Sequence, residues 1–188
     1  MIKGKVWNYG DDINTDFILP GIYLELTDPK EIAKHAMEGI DREFVKKVQP
    51  GDVIIGGRNF GLGSSREQAP IALKYAGVSA VIAEGYARFF YRNAANLGLP
   101  ALECPNVSKE IKTGETVEID ISAGKIIVNG EKELEFDTII WAAGDKSNMG
   151  LYQELLAKVP EMYVVGDCGT PGKVMDAISS GAYVALHI

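Results

Sequence analysis

The chain has 188 residues, of which 46% are hydrophobic and 24% charged, with a formal net charge of −7. This composition is typical of a globular protein with one core-forming domain and room for an appendage. The negative charge argues against nucleic acid as a partner, because phosphate binding depends on clustered Lys and Arg. The chain has no apolar run long enough for a membrane span and no N-terminal secretory signal, so we expect a cytoplasmic protein without a membrane partner.

The order of the predicted elements indicates an α/β fold. After an N-terminal strand and a polar loop, apolar segments typical of buried strands alternate with segments typical of helices. Such alternation favours a layered fold with some parallel strand pairing. The predicted buried strands lie at 51–57, 78–86 and 99–104, and the helices at 27–40, 41–50, 66–77 and 87–98.

The last third of the chain changes character. Residues 115–136 alternate at period two with turns at Gly124 and Asn129-Gly130, which predicts an antiparallel segment. The remaining sequence predicts a strand at 137–144, a helix at 149–159, a strand at 161–167 and a helix at 172–188. We therefore expect one domain over 1–135 and an appendage of βαβα order over 136–188.

A glycine-rich loop stands between the strand and the helix of "GDVIIGGRNFGLGSSREQAPIALKYAG". Gly61 and Gly63 allow backbone N–H groups to converge, and the following helix directs its positive end at the same place. Arg66 adds a bidentate donor suited to a carboxylate. This pattern indicates an anion site in which Ser64 could remove a proton from a bound acid. The alternative is a capping box of Ser64 and Glu67, with Arg66 merely solvated.

A second polar cluster lies in the loop "GDDINTDFILP". Asp11, Asp12, Asn14, Thr15 and Asp16 crowd this loop. On its own the cluster favours an Asx-turn loop with solvated carboxylates. The functional alternative is that one Asp orients a catalytic group or bonds a substrate hydroxyl.

Together, the two loops resemble those of the small subunits of the 3-isopropylmalate dehydratase family, in the aconitase superfamily. The resemblance covers roughly residues 1–125 and rests on "DDINTDFILPGIYL" and on the motif G-x-G-S-S-R-E at 61–67. It implies a swivelling β/β/α domain. It also implies a hydro-lyase that dehydrates a hydroxy-diacid and rehydrates the alkene at the other carbon, with 3-isopropylmalate as the substrate, in leucine biosynthesis.

The resemblance further implies a partner. In this family a large subunit holds a [4Fe–4S] cluster, and the small subunit acts only with it, as a heterodimer or heterotetramer. No metal is expected on this chain, which agrees with its two cysteines, Cys104 and Cys168, in no C-x-x-C pattern.

Residue roles are implied position by position. Ser64 matches the serine that removes the α-proton, Asp16 matches an aspartate beside the site, and Ser65 and Arg66 match residues that bind substrate carboxylate. The stretch that contacts the variable part of the substrate corresponds to Tyr23, Leu24 and Glu25.

Two positions depart from the family pattern. Gln68 stands where most members have His, and Glu25 stands where some have Arg. A carboxylate at 25 would repel a further substrate carboxylate, which weakens the alternative of a homoaconitase small subunit. A 2,3-dimethylmalate dehydratase small subunit and a non-catalytic binding or assembly module remain as further alternatives.

The C-terminal segment resembles the end of FAD-dependent pyridine-nucleotide oxidoreductases, in which the aspartate of "YVVGD" touches the flavin. Asp167 holds that position here. The chain contains no G-x-G-x-x-G, so a dinucleotide cradle is missing and flavin binding is not expected. We expect a structural or interface element.

Overall fold

The computed structural model describes residues 1–136, 138–139, 147–156, 158–172 and 174–187. The chain divides into two compact units, Met1–Ala142 (the first unit) and Ala143–Ile188 (the second unit). The boundary lies after the predicted one at residue 135. In the described part of the chain, no helix is long and apolar enough to cross a membrane.

The strands in the described residues form one mixed sheet in the order β7-β6-β5-β1-β2-β3-β4-β8. Strands β1 to β4 are parallel neighbours, β5 to β7 continue antiparallel beyond β1, and β8 pairs antiparallel with β4. This sheet confirms the α/β class. The strands are β1 (Ile2–Asn8), β2 (Val53–Ile55), β3 (Ala80–Ala83), β4 (Ala101–Glu103), β5 (Thr116–Asp120), β6 (Lys125–Val128), β7 (Lys132–Glu135) and β8 (Thr138–Ile139).

The central strands are apolar at every position because both faces of the sheet are covered. In β2, Ile54 points into a core cluster shared with the helices, whereas Val53 and Ile55 belong to a second cluster shared with β5 and β6. Successive side chains of a strand point to opposite faces, so one apolar run supplies both cores.

The four helices predicted before residue 99 are present, although the first two are shorter than predicted, and two further short helices, Thr15–Ile18 and Val107–Glu110, were not predicted. The helix predicted over 27–40 is regular only over Pro29–Ala33, where the Asp28 side chain caps it by accepting from the Lys30 N–H at 2.9 Å. The described helices are α1 (Thr15–Ile18), α2 (Pro29–Ala33), α3 (Phe44–Lys47), α4 (Gln68–Ala76), α5 (Arg88–Asn96), α6 (Val107–Glu110), α7 (Gly150–Leu155) and α8 (Val174–Ala185).

The antiparallel segment forms as predicted. Strands β6 and β7 are joined by a tight turn in which Asn129 has φ 51° and Gly130 has φ 77°. The register pairs Val128 with Lys132, so three residues connect the strands, and the Glu131 N–H donates to the Val128 carbonyl at 3.1 Å. Asn and Gly adopt the left-handed conformation at the least steric cost, which suits them to the two central positions of this turn.

The second unit contains α7, the 3₁₀ turn Gly166–Cys168 and α8. The predicted βαβα order is wrong at its second strand, since residues 161–165 adopt no regular structure. A short apolar run becomes a strand only where another strand pairs with it, and these residues have no such partner in the described chain. Of the strand predicted over 137–144, Thr138–Ile139 is β8 of the first unit, and 137 and 140–144 lie outside the described residues.

Candidate functional site

The two polar loops singled out in the sequence lie side by side. Asn14 and Leu62 form a parallel bridge, in which the Thr15 N–H donates to the Leu62 carbonyl at 2.8 Å. One step along, the Gly61 N–H donates to the Ile13 carbonyl at 2.7 Å. The backbone of residues 13–15 is therefore fixed against that of residues 61–62.

Acidic side chains of the first loop are bonded across to the glycine-rich loop. The Asp11 carboxylate accepts from the backbone N–H of Arg58 at 2.8 Å and from its guanidinium at 3.0 Å. These bonds hold the pKa of Asp11 below its usual value. Asp12 accepts from the Asn59 side-chain amide at 2.8 Å. These two carboxylates bind the opposite loop, so describing them as merely solvated is wrong.

Close packing explains two of the glycines in the motif. A Cβ on Gly61, which has φ 78°, would lie 2.2 Å from the Cβ of Phe90. A Cβ on Gly63, which has φ 105°, would lie 3.1 Å from the Thr15 hydroxyl. Both positions therefore require glycine for conformation as well as for space.

Arg66 is mostly buried and forms an ion pair across the two loops. Its Nη1 lies 2.8 Å from Asp16 Oδ1 and donates to the Leu19 carbonyl at 2.9 Å, while its side chain is only 14% exposed. The interpretation of Arg66 as a solvated residue is therefore wrong. Its Nε is buried and has no hydrogen-bond partner in the described chain. Since Asp16 is 62% exposed, the ion pair faces solvent on the carboxylate side.

Ser64 is one of two exposed serines in the loop. Its Oγ lies 3.3 Å from the Oγ1 of Thr15, which is itself buried. Helix α4 begins at Gln68 with Glu67 at the N-cap position and no side-chain cap. The capping box of Ser64 and Glu67 is thus not formed, and the Ser64 hydroxyl is not used to start the helix.

Ser65 is held from a neighbouring helix. The Asn93 side-chain amide, on α5, donates to the Ser65 carbonyl at 3.2 Å. The side chain of Ser65 is exposed, like that of Ser64, and Gln68 is half-buried at the first position of α4. The serines are therefore presented by a backbone fixed from two sides, by residues 13–15 and by Asn93.

The predicted substrate-contacting stretch starts beside the Arg66–Asp16 pair. A Cβ on Gly21 would lie 3.7 Å from Asp16 Oδ1 and 3.9 Å from Arg66 Nη2. From there the 3₁₀ turn Gly21–Tyr23 leads to Leu24, which packs on the first core cluster, and to Glu25, which is exposed. The Tyr23 hydroxyl donates to Glu38 at 3.0 Å.

Sequence reasoning missed the residues that hold the predicted ones in place. Arg58 and Asn59 bond Asp11 and Asp12 over a sequence distance of 47 residues, and Glu38 bonds Tyr23. No local spacing in the sequence marks such pairs, and those of Arg58 and Asn59 exist only once β1 and β2 lie side by side. The apposition of the two loops at the ends of adjacent parallel strands is the signal that would find them.

The chain does not offer the ligands of an iron–sulfur cluster. Such clusters are held by three or four thiolates, and the sequence has two cysteines, Cys104 (buried) and Cys168 (exposed). Within the described ranges, no group of three or more His, Cys, Asp or Glu side chains could hold a metal ion.

Comparison with known proteins places these loops in a family. The Aconitase C-terminal domain family matches residues 21–107, which include the glycine-rich loop. The 3-isopropylmalate dehydratase small subunit of Thermodesulfovibrio yellowstonii is 60% identical over 126 residues, covering 67% of this chain and 75% of that protein. The isopropylmalate/citramalate isomerase small subunit of Methanocaldococcus jannaschii is 47% identical over 168 residues, covering 86% of this chain and 97% of that protein.

The fold agrees with these relatives. The crystal structure of 3-isopropylmalate dehydratase from Methanocaldococcus jannaschii superposes with a TM-score of 0.70 at 43% identity, covering 99% of this chain and 98% of that chain. An alignment over 86% of this chain must include residues beyond 135, so the similarity continues into the C-terminal segment. The chain therefore belongs to the family of 3-isopropylmalate dehydratase small subunits, of the aconitase type.

Proposed function

We propose that this chain is the small subunit of a hydro-lyase that interconverts a malate-type hydroxy-diacid and its alkene, with 3-isopropylmalate as the substrate. The observation that carries the proposal is the exposed Ser64 on a glycine loop that also supplies Arg66 and is fixed next to the segment that supplies Thr15 and Asp16. The names of its relatives favour the same chemistry.

The reaction needs a base for a carbon-bound proton next to a carboxylate. In this proposal Ser64 removes that proton, with the Thr15 hydroxyl as a hydrogen-bond donor that stabilises the charge developing on Ser64 Oγ. The substrate carboxylate binds the guanidinium of Arg66 and the exposed region around Ser65. The cationic side chain lowers the energy of both negative charges, on the substrate and on the serine oxygen.

In this proposal Asp16 orients Arg66 and balances its charge. With no diacid bound, its carboxylate balances the mostly buried guanidinium at 2.8 Å and fixes the direction of its donors. Because Asp16 is largely exposed, it can yield one donor to a substrate carboxylate without leaving an unpaired charge in the interior.

A large subunit is required in this proposal. The iron–sulfur cluster expected on it would act as a Lewis acid on the departing hydroxyl, and the two cysteines of this chain cannot hold such a group. The small subunit contributes substrate binding, orientation and the proton-accepting hydroxyl.

The test is reconstitution with a candidate large subunit under anaerobic conditions, followed by absorbance of the alkene formed from 3-isopropylmalate, 2,3-dimethylmalate and homocitrate. We expect turnover of 3-isopropylmalate and a fall in kcat of about 10²–10⁴-fold in Ser64→Ala. Ser122→Ala, which changes an exposed serine in the β5–β6 turn, serves as the matched control with unchanged turnover.

Arg66→Lys keeps the charge but removes the planar pair of donors, so the apparent affinity for the diacid should fall strongly. Full turnover by Ser64→Ala would disprove the assignment of the base. If the chain binds no large subunit, the alternative of a non-catalytic assembly module takes the place of the hydro-lyase.

A further inference from the structure

The 3₁₀ turn Gly21–Tyr23 is attached to the rest of the first unit at both ends. Its first residue, Gly21, lies against the Arg66–Asp16 pair, as the 3.7 Å and 3.9 Å distances above show. At its last residue, the Tyr23 hydroxyl donates to Glu38 Oε1 at 3.0 Å. Between them Ile22 is 80% exposed, so the turn presents an apolar side chain to solvent next to the anion site.

Glu38 is itself part of a three-residue cluster. His35 Nδ1 lies 2.6 Å from Glu38 Oε2, and the rings of Tyr23 and His35 stack with centroids 3.6 Å apart and planes 12° apart. The hydrogen bond from His35 lowers the pKa of Glu38, and the bond to Glu38 raises the pKa of Tyr23. Glu38 therefore stays an acceptor and Tyr23 a donor over the physiological range.

The segment that carries Glu38 is fixed on its other side. The Met37 N–H donates to the Ile18 carbonyl at 2.7 Å, and the Gly39 N–H donates to the Phe17 carbonyl at 3.1 Å. A Cβ on Gly39 would lie 2.3 Å from the carbonyl oxygen of Asp16. Glu38 thus stands on a backbone that packs directly on the helix that supplies Asp16.

We propose that Glu38, supported by His35, is a positioning residue that holds the Gly21–Tyr23 turn beside Arg66 and so determines which apolar substituent of a bound diacid is accepted. If one carboxylate of a diacid binds Arg66, the rest of the diacid lies next to this turn and its exposed Ile22 side chain. If the turn moves, the apolar contact is lost while Ser64, on the other loop, keeps its place. The inference rests on the proposed function.

The first test compares Glu38→Ala with Glu38→Gln in the reconstituted complex, using 3-isopropylmalate and 2,3-dimethylmalate. Glu38→Ala should raise the KM for 3-isopropylmalate about tenfold with kcat within about twofold, and should reduce the preference between the two acids. The Gln variant keeps an acceptor for Tyr23 and should recover most of the affinity. Glu43→Ala, which removes an exposed surface pair with Lys46, is the matched control and should leave both constants unchanged.

A double-mutant cycle tests the path through Tyr23. If Glu38 acts through the Tyr23 hydroxyl, Tyr23→Phe combined with Glu38→Ala should raise KM no more than the larger of the two single changes. Additive effects, a fall in kcat at unchanged KM, or a Glu38→Ala variant that behaves like the control would overturn the proposal.

A second readout needs no turnover. The N–H groups of Leu24 and Leu26 donate to carbonyls of the turn, at 3.3 Å to Gly21 and 3.2 Å to Tyr23. In Glu38→Ala their hydrogen exchange should accelerate, while that of Gly61, at the other loop, should not. Unchanged exchange would disprove the positioning role, and absence of turnover by the wild type on any acid would disprove only the proposed function.

Discussion

The two units of the chain differ in how far their apolar side chains are buried. In the first unit, Phe44, Phe60 and Ile54 are fully buried in one core cluster, and a second cluster of buried side chains contains Val53 and Ile55. In the second unit, Leu186 is 82% exposed, and α7 and α8 contain no buried residue in the described chain. Burial of apolar surface is the main favourable contribution to folding. The difference indicates that the first unit, which contains every candidate site residue, also holds the core that stabilises it.

Thiol reactivity should give the largest contrast between the units. Cys104 is buried in the first unit, whereas Cys168 is exposed in the second. A buried thiol reacts only after its surroundings open, so Cys104 should react at least about a thousandfold more slowly than Cys168. The measurement is the rate of labelling by an aromatic disulfide in native buffer, with Cys168→Ser expected to abolish the fast phase. Fast labelling of both thiols would mean that the first unit opens easily, and it would contradict the difference in burial between the two units.

A matched pair of isoleucines should give the next largest contrast. Ile54→Ala removes a fully buried side chain and should lower the free energy of unfolding by about 2–5 kcal/mol. Ile178→Ala changes a side chain that is 57% exposed and should stay within about 0.5 kcal/mol. Urea denaturation of both variants measures the difference, and equal losses would show that the second unit shares in the stability of the core.

A pair of left-handed glycines should give the smallest contrast. Gly61 and Gly166 have φ of 78° and 62°, so alanine at either should cost about 1–2 kcal/mol in backbone strain. Gly61→Ala also meets Phe90 at 2.2 Å, whereas a Cβ on Gly166 is 3.4 Å from Ala177. Crowding should therefore lower the free energy of unfolding by about 1–3 kcal/mol more in Gly61→Ala than in Gly166→Ala. Gly61→Ala should also lose turnover, because Ser64 is displaced. Thermal unfolding and the alkene assay would measure the two effects.

Most of the first unit could be predicted from the sequence because its signals are local. Buried strands such as Val53–Ile55 read as continuous apolar runs, Gly77 ends α4 with φ 108°, and Asn129-Gly130 forms the predicted hairpin turn. The strand predicted at 161–167 failed because its formation depends on a pairing partner, which no local pattern reports.

In the candidate site, too, the local motif could be predicted from the sequence and the long-range contacts could not. The motif that contains Ser64 and Arg66 was evident from its glycines and hydroxyls, and its geometry favours an anion site over a helix cap. Asp16 was expected beside the site from the resemblance, but the contacts that fix the motif were not evident. Asp16 reaches Arg66 and Asn93 reaches Ser65 across long stretches of sequence, so these contacts follow from the topology of the fold.

The pairing of β1 has a consequence for synthesis of the chain. Lys5 pairs with Thr116 and Ile2 with Ile119, so β1 must wait for about 110 further residues before its antiparallel neighbour exists. At usual rates of translation this takes roughly 5–20 s. Through that interval the nascent protein displays an unpaired strand edge, the kind of surface on which chains aggregate. Lys3 and Lys5 lie on this strand and place positive charges on its unpaired edge. These charges disfavour pairing of the edge with a second nascent chain.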